Sequence, residues 1–125
     1  EVLAVLAEAG RAIESGGVLV LDLLTTAHGE LPHGVLHASE GDGWACESMT
    51  TVLSPTLIER AIATRVRQAD GSWREGEERH RNALVDPAEL LDALSETGLE
   101  VEIHEAPPGA MAVPGLAWVV GRRPA

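Results

Sequence analysis

Glu78 and His80 stand two residues apart in Glu77-Glu78-Arg79-His80-Arg81. On an extended strand such neighbours point to one face, so a carboxylate would lie beside an imidazole. That pair is suited to orienting a ligand or taking its proton. The competing assignment is a surface hairpin laced by cross-strand ion pairs, because Arg74, Glu75, Glu77, Arg79 and Arg81 surround it. A second group, Thr25, Thr26 and His28, follows the apolar run Val18-Leu19-Val20-Leu21-Asp22-Leu23-Leu24. Ligands of open α/β sheets sit at the carboxyl ends of strands, although two threonines and a solvated histidine also simply end a strand. Trp44 and Trp73 offer aromatic walls for a ligand or a cation, or packing area in a chain with few aromatics. His28, His33 and His37 lie in a glycine-rich stretch whose spacing fixes no ligand set, so no metal site is expected. Cys46 has no basic neighbour and reads as a small core residue.

The elements that must position these residues follow from periodicity and punctuation. Val2, Leu3, Val5, Leu6, Ala9 and Ile13 recur at helical spacing, and Gly16-Gly17 is a stop, which predicts a helix over 1–15. Residues 18–24 read as a strand buried on both faces, the mark of a parallel α/β sheet. Residues 27–43 read as a long loop. Trp44 to Leu53 is the next strand, closed by Pro55. Ile58 to Arg67 alternates, Asp70-Gly71 is a hairpin signal, and Trp73 to Leu84 returns. A two-residue turn there would pair Ala69 with Ser72, Ala63 with Glu78 and Ala61 with His80. A one-residue bulge would reverse the faces. Asp86-Pro87-Ala88-Glu89 starts a helix with an N-cap and a proline in its first turn, and Gly98 stops it. Residues 100–104 and 116–120 read as strands. The organisation is a helix and strand over 1–26, a loop and antiparallel insert over 27–85, and a helix with two strands over 86–125.

Composition narrows the function classes. The chain has 125 residues, 45% of them hydrophobic, which bounds it to one domain with a real core. Phe and Tyr are absent, so aliphatic residues must build that core. Net charge is −11, which repels phosphate backbones and argues against nucleic acid as a partner. One cysteine excludes a disulfide framework within the chain and points to a reducing, cytoplasmic setting. No apolar run approaches a membrane span.

The order of these pieces resembles the C-terminal half of a class I S-adenosylmethionine-dependent methyltransferase. Arg11-Ala12-Ile13-Glu14-Ser15-Gly16-Gly17-Val18-Leu19-Val20-Leu21-Asp22 is similar to that family's helix, turn and fifth strand, with Ser15 where proline is usual. Asp70-Gly71-Ser72-Trp73-Arg74 and Glu78-Arg79-His80-Arg81 resemble the hairpin insert of small-molecule methyltransferases. Asp86 to Leu91, then Thr97-Gly98-Leu99-Glu100-Val101, resemble the last helix and sixth strand. Val119 to Pro124 resembles the seventh.

The resemblance implies a Rossmann-like α/β sheet with an antiparallel hairpin insert, methyl transfer to a small-molecule acceptor, and S-adenosylmethionine as the cofactor. The family's glycine-rich cofactor loop and the acidic end of its second strand have no counterpart here, so no cofactor-binding residue is expected in this chain. It is read as the substrate side of an enzyme, inactive alone, with a missing N-terminal half or a homodimer partner. Glu78 and His80 are then the catalytic candidates. Thr25, Thr26, His28, Trp44 and Trp73 are the substrate-binding ones. The alternative is a non-catalytic dimerisation or ligand-binding α+β module, prompted by the exposed edge that an apolar strand over 18–24 would leave.

Overall fold

The computed structural model describes residues 1–125. The chain divides into two units, residues 1–31 with 83–125, and residues 32–82.

The first unit carries α1 (Val2–Arg11), β1 (Val18–Leu24) and the single helical turn α2 (Thr26–Gly29). It is completed by elements from the chain's other end. Helix α1 stops short of the expected residue 15 because the backbone beyond it is taken by the far end of the chain. Gly16 N–H donates to Arg123 O (3.0 Å) and Arg123 N–H donates to Gly17 O (2.9 Å). The Arg123 guanidinium also donates to Gly10 O (2.9 Å), a carbonyl at the helix end that the Ile13 amide reaches as well (3.2 Å).

Residues 32–82 form a meander. Strands β2 (His37–Gly41), β3 (Trp44–Ser54), β4 (Leu57–Arg67) and β5 (Trp73–Ala83) make a four-stranded sheet in chain order. The long loop expected over 27–43 is therefore corrected. It holds α2 and the strand β2, which pairs with β3 through a turn at Asp42-Gly43, His37 opposite Ser48 and Gly41 opposite Trp44.

The first unit then continues with α3 (Pro87–Ser95), β6 (Glu100–His104) and β7 (Leu116–Arg122). Asp86 caps α3, its carboxylate accepting from Ala88 N (2.8 Å) and Glu89 N (3.2 Å). The sheet order is β1-β7-β6, with β7 antiparallel to both neighbours. Leu21 and Ile103 flank Val119 in one row. That face meets Val85, Leu90 and Leu94, with Leu3 and Leu6 of α1 packed alongside. The core is aliphatic throughout. Burial of β1 on both faces is not what the fold shows: Val18 and Val20 are 47% and 48% exposed. Its hydrogen-bonded neighbour is the antiparallel β7, and helices cover only the face of Leu19, Leu21 and Leu23.

The hairpin joining β4 to β5 also departs from the two-residue turn. Gln68 N–H donates to Ser72 O (2.7 Å), and Gly71 N–H donates to Gln68 O (3.0 Å). Gly71 has φ +86°, so the connection is a three-residue loop ending in a left-handed residue. Asp70 fixes it by accepting from the Ser72 amide (2.9 Å) and hydroxyl (2.6 Å). The extra residue shifts the pairing by one. Thr64 Oγ1 reaches Gly76 O (3.5 Å), and Arg79 and Arg81 both reach Glu59, so Glu78 and His80 turn away from that face.

Candidate functional site

The candidate residues fall into two groups, one in each unit. Thr25, Thr26 and His28 gather at the carboxyl end of β1, as their positions in the sequence suggested. Thr25 is 6% exposed, and both its amide (2.8 Å) and its hydroxyl (3.1 Å) donate to Gly115 O. Thr26 N–H donates to Val85 O (3.1 Å), and Val85 N–H to Leu24 O (3.0 Å), a short parallel bridge at the strand's end. His28 Nδ1 lies 3.4 Å from Pro114 O. Gly115 is pressed against this turn so closely that a Cβ would stand 2.5 Å from His28 Cα. The hydroxyl of Thr25 is therefore committed to holding the 113–116 segment. Thr26 and His28 remain partly accessible beside it.

The second group lies on the four-stranded sheet. His80 Nε2 and Glu78 Oε2 are 2.8 Å apart, with side chains 52% and 66% exposed. The expected partners Ala61 and Ala63 are not opposite them. Those alanines pair with Met49 and Glu47 and share the face of Glu59, which the shifted hairpin gives to Glu77, Arg79 and Arg81. Glu59 accepts from Arg79 Nη1 and Arg81 Nε, each at 3.0 Å. The Arg81 and then the Arg79 hydrogen bonds hold its carboxyl below the ordinary carboxylate value. Asp70 is lowered likewise, first by the Ser72 hydroxyl and then by the Ser72 amide.

The two tryptophans stand at one end of this sheet but on opposite faces. Trp44 pairs with Val66 and lies over Gly41, where a Cβ would meet its Nε1 at 2.3 Å. Trp73 takes the Arg65 guanidinium 4.9 Å from its ring centroid, on the face next to Ala45. Both are almost half exposed, at 44% and 45%, so neither supplies the buried packing area expected of it.

Two features escaped the sequence. On the alanine face, Glu40, Glu47, Glu75 and Glu77 ring a hollow of about 430 Å³ floored by Ala45 and Ala63, with Arg65 at its side. Its signal was the alternation of alanine with charge on β3 and β4, lost because β2, which brings Glu40, read as loop. The other is a second histidine pair of the same kind, His104 Nε2 with Glu102 Oε2 at 3.1 Å on β6. The same spacing thus recurs in a second strand, and spacing alone does not single out Glu78 and His80. No cluster of three or more His, Cys, Asp or Glu is placed to hold a metal ion. No helix is long and apolar enough to cross a membrane.

By sequence, neither a protein-family model nor a curated protein matches the chain. By structure it is similar to solved methyltransferases. One is an S-adenosylmethionine-dependent methyltransferase from Clostridium acetobutylicum, with a TM-score of 0.75 at 12% identity, covering 98% of this chain and 52% of that one. Another is the sugar N-methyltransferase KedS8 from Streptoalloteichus, with a TM-score of 0.72 at 25% identity, covering 98% and 50%. A third is CalS10, an amino pentose methyltransferase from Micromonospora echinaspora, with a TM-score of 0.73 at 20% identity, covering 96% and 50%. The chain spans about half the length of the solved structures it matches. In fold, the chain is similar to about half of an S-adenosylmethionine-dependent methyltransferase.

Proposed function

We propose that this chain forms the C-terminal, acceptor side of an S-adenosylmethionine-dependent methyl transfer to a small molecule, with an amino sugar as the acceptor class. The observation that carries the reading is the likeness, over 98% of the chain, to a sugar N-methyltransferase at 25% identity.

Residues 1–125 do not fit the cofactor by themselves. Holding it calls for a glycine-rich turn that opens a helix with free amides. Here α2 and α3 are entered through Thr25 and Asp86, and the Asp86 carboxylate already takes the first amides of α3. When bound, the cofactor supplies the methyl group. The part assigned to these residues is to hold the acceptor and to move its proton. An ammonium acceptor must lose a proton before its lone pair can attack. The Glu78–His80 pair, joined at 2.8 Å and open to solvent, is the proposed group to take it. Trp44, on the face of that pair, is the proposed acceptor contact of this sheet; Trp73 lies on the opposite face, and Thr26 and His28 belong to the other unit. Thr25 is a positioning residue that acts through Gly115.

The test is methyl incorporation by the full-length protein from labelled S-adenosylmethionine into amino sugars and matched hydroxyl sugars. Label is expected in the amines. Label only in the hydroxyl sugars overturns the acceptor class, and no label in any acceptor overturns methyl transfer. His80→Ala is expected to lower kcat by roughly 10²–10⁴-fold, the span of a general base. His104→Ala, the same local pair on β6, is expected to leave kcat unchanged. Equal losses in the two variants would remove Glu78 and His80 from the chemistry.

A further inference from the structure

Strand β5 is the outer strand of its sheet, with β4 as its hydrogen-bonded neighbour on one side and no strand on the other. All eleven of its residues are exposed. A free backbone edge of that length is a template for another strand. Charges commonly guard such edges, and they repel a copy when they share one sign. Here the sign changes along the strand. Glu75, Glu77 and Glu78 precede Arg79, His80 and Arg81. A parallel copy in register would set like against like, whereas an antiparallel copy sets acid against base.

We propose that β5 pairs antiparallel with β5 of a second copy of this chain, joining the two sheets into one across a two-fold axis. The backbone chooses the register. Gln68 N–H bonds Ser72 O at the hairpin's end. Carried along the strands, that pairing turns the backbone groups of Trp73, Glu75, Glu77, Arg79 and Arg81 to the free edge. Two copies therefore match these residues with one another. With the axis at Glu78, Glu77 lies opposite Arg79 of the second copy and Glu75 opposite Arg81. Gly76 lies opposite His80. Arg79 and Arg81 each spend one nitrogen on Glu59 yet stay 72% and 67% exposed. A guanidinium has five N–H donors, so each is able to take a second carboxylate. Glu78 meets its own copy at the axis, with His80 beside each. Extending a sheet by its edge leaves both faces open, so the Glu78–His80 pair and the alanine hollow stay accessible.

Light scattering across concentration and salt on the full-length protein tests this. The native protein is expected to dimerise, more weakly as salt rises. Glu75→Arg/Glu77→Arg turns both charge pairs repulsive on each side of the axis, and its dissociation constant is expected to rise roughly 100-fold. Mixing it with Arg79→Glu/Arg81→Glu is expected to restore a dimer that neither variant forms alone. Because the second variant loses the Glu59 brace, circular dichroism must show that it folds. If it does not, cross-linking decides. Glu78→Cys in a Cys46→Ser background is expected to form a disulfide between copies, while Arg74→Cys, placed opposite Asn82, does not. A native protein that is monomeric at every concentration overturns the proposal. So does a dimer indifferent to Glu75→Arg/Glu77→Arg, or equal cross-linking of both cysteine variants.

Discussion

The sheets β1-β7-β6 and β2-β3-β4-β5 share antiparallel neighbours and differ in what they do with their faces. In the first, alternate residues of every strand bury against α1 and α3, and Leu90, Leu94 and Val119 are almost wholly out of solvent. In the second, no residue of β5 is buried, and its long side chains are charged. The contrast teaches that the first sheet stands on a shared apolar cluster, whereas in the second full burial is confined to Ile58 near the start of β4 and the outer strand β5 rests on its backbone ladder and a few braces. Exposed imidazole–carboxylate pairs occur on both sheets, Glu78 with His80 on β5 and Glu102 with His104 on β6.

The largest way to break this comparison is to cut the aliphatic core. Leu94→Ala removes a fully buried side chain from the cluster with Val85, Leu90 and Val119. It should lower unfolding free energy by about 2–5 kcal/mol, since the helices and sheet relax only partly around the cavity. Val66→Ala on β4 is the counterpart, at a site 40% exposed, and should lower it by under about 1 kcal/mol. Urea titration measures both. Similar losses at the two positions would mean that the four-stranded sheet carries a core of its own.

The same contrast explains what was legible in the sequence. The Asp86 cap, the leucine stripe of α3 and the inward Val101 and Ile103 were readable because each is set by local chemistry and one buried face. The end of α1 was not, because Arg123, more than a hundred residues away in sequence, decides where it stops. Strand β2 was missed although Asp42-Gly43 is the same hairpin signal as Asp70-Gly71. His37 to Gly41 has no apolar alternation to announce a strand, and all five residues are exposed. The site residues were readable as types, but their faces depended on the bulge at Gly71. One residue there moved Glu78 and His80 off the alanine face and gave that face to Glu77 and Arg79.

A smaller effect is expected at the entrance to α3. Asp86→Ala leaves the amides of Ala88 and Glu89 without their carboxylate acceptor. The loss should be about 0.5–2 kcal/mol, below the Leu94→Ala value, because packing of Leu90 and Leu94 still holds the helix. Thermal unfolding at neutral pH measures it. Asp86→Asn should restore most of the loss, since its side-chain oxygen accepts the same bonds. An Asn variant as weak as Ala would show that charge rather than capping geometry is what α3 needs.

The smallest expected effect is the most specific to the four-stranded sheet. Glu59 joins Arg79 and Arg81 across strands, with its own side chain 17% exposed while theirs are open to solvent. Its folded pKa lies below the ordinary 4.5, owing first to Arg81 and then to Arg79. A carboxyl whose folded pKa is depressed adds stability above the unfolded value and loses it as pH falls through the folded one. Glu59→Gln should therefore matter at neutral pH and cease to matter in acid, so that native and variant urea midpoints converge below about pH 4. The same substitution in salt should matter less, because the arginines are exposed. Leu94→Ala should keep its full effect through both changes, because apolar burial carries no titrating group. A Glu59→Gln loss that stayed constant from neutral pH into acid would mean that Glu59 braces the sheet by its shape and packing rather than by its charge, and the two sheets would then be held by the same kind of force.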